Sequence, residues 1–170
     1  MPALALDARL AARLTARLDS AAALCARRGA QLTELRRQVL RLVLEAEQPL
    51  GAYALLDRLK ASRAGAAPPT VYRALDFLME QGLIHKVERL GAFIGCAEVE
   101  DHPADCDCGA AHDHPHQFLI CSRCGTTTEL SNPGVSLALS RAAAAAGFAL
   151  HRATVEAEGL CAGCQAVGAA

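Results

Sequence analysis

The sequence predicts an α+β protein with an N-terminal winged helix-turn-helix domain over residues 1–91, a hinge and His/Cys-rich loop over 92–117, and a small α/β domain over 118–170. Three observations predict it. Apolar residues recur with helical spacing in four segments before residue 80. Two short β-like runs follow between 83 and 94. A strand, a helix and a strand after residue 118 are interleaved with two CxxC motifs.

Taken in order, residues 10–25 form the first helix, with Leu10, Leu14 and Leu18 on one face, Arg9, Arg13 and Arg17 as a solvated stripe, and Gly29 as the terminator. Thr33 is the expected N-cap of a second helix carrying Leu35, Val39, Leu42, Val43 and Ala46 until Gln48-Pro49 stops it. Tyr53, Leu55, Leu56 and Leu59 mark a third. Residues 62–69 (SRAGAAPP) break the pattern, and 70–79 restore it until Gly82. Residues 83–88, a turn near Leu90-Gly91, and 92–94 read as a hairpin. Further on, 126–130 alternates as a strand. Asn132-Pro133 then opens a helix with Val135, Leu139, Ala142 and Ala146 on one face, and 148–158 reads as another strand.

At 170 residues and 52% hydrophobic, the chain can bury a core, which excludes intrinsic disorder. No apolar run approaches the length of a membrane span. The net charge of −1 argues against a nucleic-acid protein until the chain is divided. Residues 1–90 carry 14 Lys+Arg and 9 Asp+Glu, net +5, whereas 91–170 carry 3 and 9, net −6. A basic half precedes an acidic one.

Two helices about a turn, followed by a hairpin, make the first half a winged reader of DNA. A helix entering the major groove presents polar groups at its N-terminal end, where Thr70, Tyr72 and Arg73 stand. Arg73 can reach guanine O6 and N7 in a bidentate contact. Arg27, Arg28, Arg36, Arg37, Lys60 and Lys86 can supply phosphate contacts. The plainer reading is a helical packing unit with solvated arginines, in which Tyr53 and Tyr72 are core residues.

Of the eight cysteines only Cys25 lies in the first half, and five of the six histidines lie in the second. The start, MPALALDARLAARLTARLD, has neither a long apolar run nor a small-residue cleavage site, so the expectation is a cytoplasmic protein with reduced thiols. Cys121-Ser-Arg-Cys124 and Cys161-Ala-Gly-Cys164 supply four thiolates that can close on zinc with no open position, which makes the site structural. A thiol oxidoreductase is the enzymatic rival. Neither knuckle is expected to open a helix after a strand in a βαβ pattern, so no enzyme is expected.

His85, Cys96, His102, Cys106, Cys108, His112, His114, His116 and Glu129 form a second group of ligand types. Cys106 and Cys108, among four aspartates, fit a loop without a defined site. The plainer reading of His85, beside Lys86 in the wing, is a surface histidine. A four-coordinate set of His, Cys, His and Glu suits zinc, because its thiolate is softer than iron or manganese sites prefer.

The run from Pro68 to Leu78 (PPTVYRALDFL), continued by Glu80-Gln81-Gly82-Leu83-Ile84-His85-Lys86-Val87-Glu88, resembles the recognition helix and wing of the ferric uptake regulator family, most closely its zinc-sensing branch. Leu24-Cys25-Ala26-Arg27-Arg28, Leu32-Thr33, Phe118-Leu119-Ile120-Cys121, Gly147-Phe148-Ala149-Leu150 and the segment 156–164 extend the resemblance over about residues 10–164. The resemblance implies a homodimeric, zinc-loaded repressor of zinc-uptake genes on palindromic operator DNA, with 118–170 as the dimerisation domain. It implies two Zn2+ per subunit. The structural one maps onto Cys121, Cys124, Cys161 and Cys164, and the regulatory one onto His85, Cys96, His114 and Glu129, with His116 as the alternative to His114. DNA reading falls to Arg73, with Tyr53 nearby. The loop between Cys96 and Cys121 is longer than the family pattern, and its histidine run is thinned to His112-x-His114-x-His116.

Overall fold

The computed structural model describes residues 2–96, 116–151 and 153–167, with side chains from residue 8 onward. The described residues belong to two compact units, one containing 2–96 and the other 116–167. Of the expected 92–117 hinge, Ala92–Gly95 form a strand, His116 opens another, and 97–115 lie outside the described residues.

The first unit runs α1 (Pro2–Arg27), α2 (Glu34–Leu44), β1 (Leu50–Gly51), α3 (Ala52–Ser62), α4 (Pro68–Glu80), β2 (Ile84–Val87), a 3₁₀ turn (Glu88–Leu90) and β3 (Ala92–Gly95). Helix α1 begins eight residues before the expected Leu10, at Pro2, a residue preorganised for the first helical turn. It stops where expected. Gly29 adopts φ +67°, and the Ala30 amide donates back to the Cys25 carbonyl at 2.9 Å. Thr33 does precede α2, but its side chain makes no capping hydrogen bond.

Helix α4 also starts earlier than expected, at Pro68 rather than Thr70. Two prolines fit the first helical turn, where their missing N–H groups are not needed, and Ala67 before them is extended. The wing sheet has the order β1-β3-β2, with β2 and β3 antiparallel and His85 opposite Ile94. Leu18, Cys25, Val39, Leu40, Leu55, Leu59, Val71, Leu75 and Leu78 are among the buried residues of one continuous core beneath it. Cys25 is thereby a core residue, and burial pushes its thiol pKa up.

The second unit runs β4 (His116–Cys121), β5 (Thr127–Leu130), α5 (Pro133–Ala145), β6 (Thr154–Gly159) and α6 (Ala162–Val167). The sheet order is β5-β4-β6, with β4 antiparallel to β5 and parallel to β6. The strand expected over 148–158 is confined to 154–159, because pairing with β4 begins only at His116 opposite Thr154. Asn132 caps α5, its Oδ1 accepting from the Gly134 amide at 2.8 Å. Among the described residues, no helix is long and apolar enough to cross a membrane.

Candidate metal centre and nucleic-acid interface

The parallel register of β4 and β6 sets Cys121 beside Gly159, so the end of one CxxC strand lies next to the residues that lead into the other CxxC. Ser122 donates through its amide to the Gly159 carbonyl at 2.9 Å and through its hydroxyl at 3.1 Å, holding the two turns together. Arg123 Nη1 reaches the Cys164 carbonyl at 2.7 Å. The four sulfurs lie within 4.8 Å of one another, and Cys124 Sγ is 3.7 Å from Cys161 Sγ. Sulfurs on a tetrahedral zinc with bonds of about 2.3 Å stand about 3.8 Å apart, so this spacing fits the ion.

The local electrostatics fit it too. The Cys161 amide donates to Cys121 Sγ at 3.3 Å and, with the Cys124 amide, holds the Cys121 thiol down to about 6. The neighbouring Thr126 hydroxyl, 3.2 Å from Cys124 Sγ, lowers Cys124 as well. Cys164 is pushed up to about 12, first by its hydrogen bond with Cys161 and then by burial and the other sulfurs. The positive charge of a divalent cation is what that last deprotonation needs. The second knuckle is not only a turn but opens a short helix, α6, which carries Cys164; among the described residues no strand follows it, so the βαβ pattern is not completed. The helix follows a strand, but the four sulfurs come from both knuckles, as a metal site requires.

The second expected donor set falls as two pairs, one in each unit. In the first, His85 on β2 and Cys96 just past β3 are both 6% exposed. Cys96 lies two residues beyond Ile94, the cross-strand partner of His85, which places both side chains on the same face of the wing sheet. The Cys96 amide donates to the Leu83 carbonyl at 3.0 Å, and Arg17 Nη2 donates to the Cys96 carbonyl at 2.9 Å. The Arg17 contact was not legible as such, since the leucine spacing assigns Arg17 to a solvated stripe. Its place beside Leu18 and three residues after Leu14, at the edge of the leucine face, was the available signal.

In the second unit, His116 Nδ1 lies 3.6 Å from Glu129 Oε1, and the His116 ring stacks on Phe118 with centroids 6.4 Å apart. Phe118 is the cross-strand partner of Glu129, so the pair shares one sheet face. His114, with His102, Cys106, Cys108 and His112, lies outside the described residues.

Exposure resolves the tyrosine question. Tyr53, in the first turn of α3, is 70% exposed and Tyr72 on α4 is 44% exposed, so neither is a core residue. Arg73 is exposed beside Tyr72, and Thr70 is half-buried, while Val71, Ala74, Leu75, Phe77 and Leu78 turn inward. Three arginines expected at phosphates are instead engaged within the unit. Arg28 donates to the Gln81 carbonyl at 2.7 Å, Arg36 lies 3.5 Å over the Phe77 ring, and Arg37 pairs with Asp19 at 2.7 Å.

A basic winged-helix unit joined in one chain to a four-cysteine metal unit defines a metal-binding protein of the winged-helix class. The chain belongs to the ferric uptake regulator family, whose family model matches residues 27–158. It is 42% identical to the zinc uptake regulation proteins of Escherichia coli (strain K12) and Shigella flexneri over 152 residues, 89% of this chain and 83% of theirs. It is similar to a solved zinc uptake regulator complexed with zinc and DNA, with 41% identity and a TM-score of 0.81 over 92% of this chain and 98% of that one. The crystal structure of holo XcZur gives 41% identity and a TM-score of 0.74 over 88% and 96% of the two chains.

Proposed function

We propose that this protein is a zinc-responsive transcriptional repressor that acts in the cytoplasm as a zinc-loaded homodimer on palindromic operator DNA and represses genes for zinc uptake. The observation that carries the reading is the division of the second donor set between the units. His85 and Cys96 belong to the unit that exposes Tyr53, Tyr72 and Arg73, while Glu129 and His116 belong to the unit of the four cysteines. Four donors drawn from both units on one ion fix the orientation of reader against base.

Two Zn2+ per subunit are proposed. The structural site is Cys121, Cys124, Cys161 and Cys164, closed by four thiolates. The regulatory site takes His85, Cys96, Glu129 and one histidine of the His114/His116 pair. Zinc there would supply a tetrahedral anchor for two imidazoles, one thiolate and one carboxylate. The similarity to a regulator solved with zinc and DNA supports the same reading. Leu137, Phe148 and Val167 in the second unit are 51%, 71% and 76% exposed, apolar surface that supports pairing with a second copy. Such a dimer presents two α4 helices to half-sites about 34–36 Å apart. By linkage, operator and zinc tighten each other by the same factor, about 5–150-fold.

A mobility-shift titration against a palindromic operator, with zinc, iron(II), manganese(II) and a chelator, tests this. Zinc should promote the shift at the lowest free concentration; binding that is indifferent to chelation, or that answers to iron alone, overturns the reading. His85→Ala and Cys96→Ser should abolish the zinc dependence with the dimer and its structural zinc retained. Of His114→Ala and His116→Ala, the variant that reproduces this loss names the third ligand. Arg73→Ala should cost about 1–3 kcal/mol of operator preference over unrelated DNA; an unchanged preference removes Arg73 from base reading.

A further inference from the structure

We infer that Arg17, on the N-terminal helix, is a positioning residue for Cys96. The inference rests on the reading of Cys96 as a metal ligand. Cys96 follows the last residue of β3, beyond the final ladder pair of Ile84 and Gly95, so the sheet alone holds it weakly. Its backbone is nevertheless fixed on both sides. The amide donates to Leu83 at 3.0 Å, and the carbonyl accepts from Arg17 Nη2 at 2.9 Å across 79 residues of sequence. The residue before it packs closely against the helices: a methyl group at Gly95 would collide with Leu44 Cδ2 and come within 3.6 Å of Arg17 Nη2.

Arg17 is half-buried, so its guanidinium is a committed contact and not a mobile surface charge. A charge-assisted donor to a carbonyl is among the stronger neutral-acceptor bonds, and it fixes the direction in which the chain leaves the wing. The physical consequence is that α1 sets where the Cys96 thiolate stands relative to His85. Groups that orient a ligand without touching the metal are commonly worth about 10–100-fold in affinity.

The full-length protein, its four-cysteine site filled with zinc, tests this with cobalt(II) at the second site. Arg17→Gln removes the charge, Arg17→Lys keeps a charged donor, and Cys96→Ser is the reference for loss of the thiolate. Arg17→Gln should lose intensity in the thiolate-to-cobalt absorption band and bind second-site zinc about 10-fold more weakly or worse in competition with a chelator. It should keep its structural zinc and helical circular dichroism, and Arg17→Lys should recover most of the band. The inference is overturned if Arg17→Gln keeps the original band and affinity, or if it loses the structural zinc and the fold together with no recovery in Arg17→Lys. A Cys96→Ser variant that retains the full band defeats the ligand assignment itself, an outcome separate from failure of Arg17 alone.

Discussion

The two units bury their apolar surface very differently. The first gathers Leu18, Leu40, Leu55, Leu59, Leu75 and Leu78 into a continuous core in which each is at most 1% exposed. In the second, Phe118, Ile120, Cys121 and Gln117 are the described residues that reach full burial, and α5 has no buried residue. A unit of the first kind is held by hydrophobic burial and needs nothing from outside. A unit of the second kind has too little core to stand alone, and the gathered cysteines and exposed apolar side chains are where its remaining stability must come from.

The strongest way to break this contrast is to take the thiolates away. Cys121→Ser, or exhaustive chelation, should melt the second unit and dissociate the proposed dimer, since structural zinc contributes about 10–16 kcal/mol in small zinc domains. The helical signal of the first unit should persist. Circular dichroism with sedimentation velocity checks both, and cooperative loss of all helical signal would show the units to be interdependent. Acid should sharpen the result. Thiolates bind the metal and protons compete for all four of them, so zinc binding should weaken steadily as pH falls.

A paired truncation makes the next largest test. Leu75 on α4 is 0% exposed, so Leu75→Ala should destabilise the first unit by about 2–5 kcal/mol in chemical denaturation. Leu137 on α5 is 51% exposed, so Leu137→Ala should change the unfolding of the isolated subunit by no more than about 0.5 kcal/mol while weakening self-association. Equal losses in the two variants would mean that the second unit has a core of its own.

The same contrast explains what the sequence made legible. Helical periodicity gave α1 to α4 because their buried faces are continuous, and the CxxC spacing gave the sulfur cluster because four thiolates define it locally. Boundaries were lost where a neighbour decides them. Residues 148–153 were expected to belong to the last strand, yet pairing begins only where β6 meets His116. Pro68-Pro69 read as a breaker because proline stops a helix from inside but starts one from its first turn. The arginines were the least legible, since the same residue type serves DNA, solvent or the fold. Arg28, Arg36 and Arg37 serve the fold through contacts to Gln81, Phe77 and Asp19.

The smallest expected effect separates the helices by how they begin. Among the N-caps, Thr33 before α2, Gly51 before α3 and Ala67 before α4 make no side-chain capping bond, and those helices are held by the faces they bury. Helix α5 buries no residue and is rich in alanine, so its stability is local. Asn132 is its anchor: the side chain accepts from Gly134, and the carbonyl accepts from Gln117 Nε2 at 3.0 Å, tying the helix start to β4. Asn132→Ala should therefore cost about 1 kcal/mol in the zinc-loaded protein, whereas Thr33→Ala should cost a few tenths at most. Thermal melts of the two variants decide the point, and a larger loss at Thr33 than at Asn132 would show that local capping is not what holds α5.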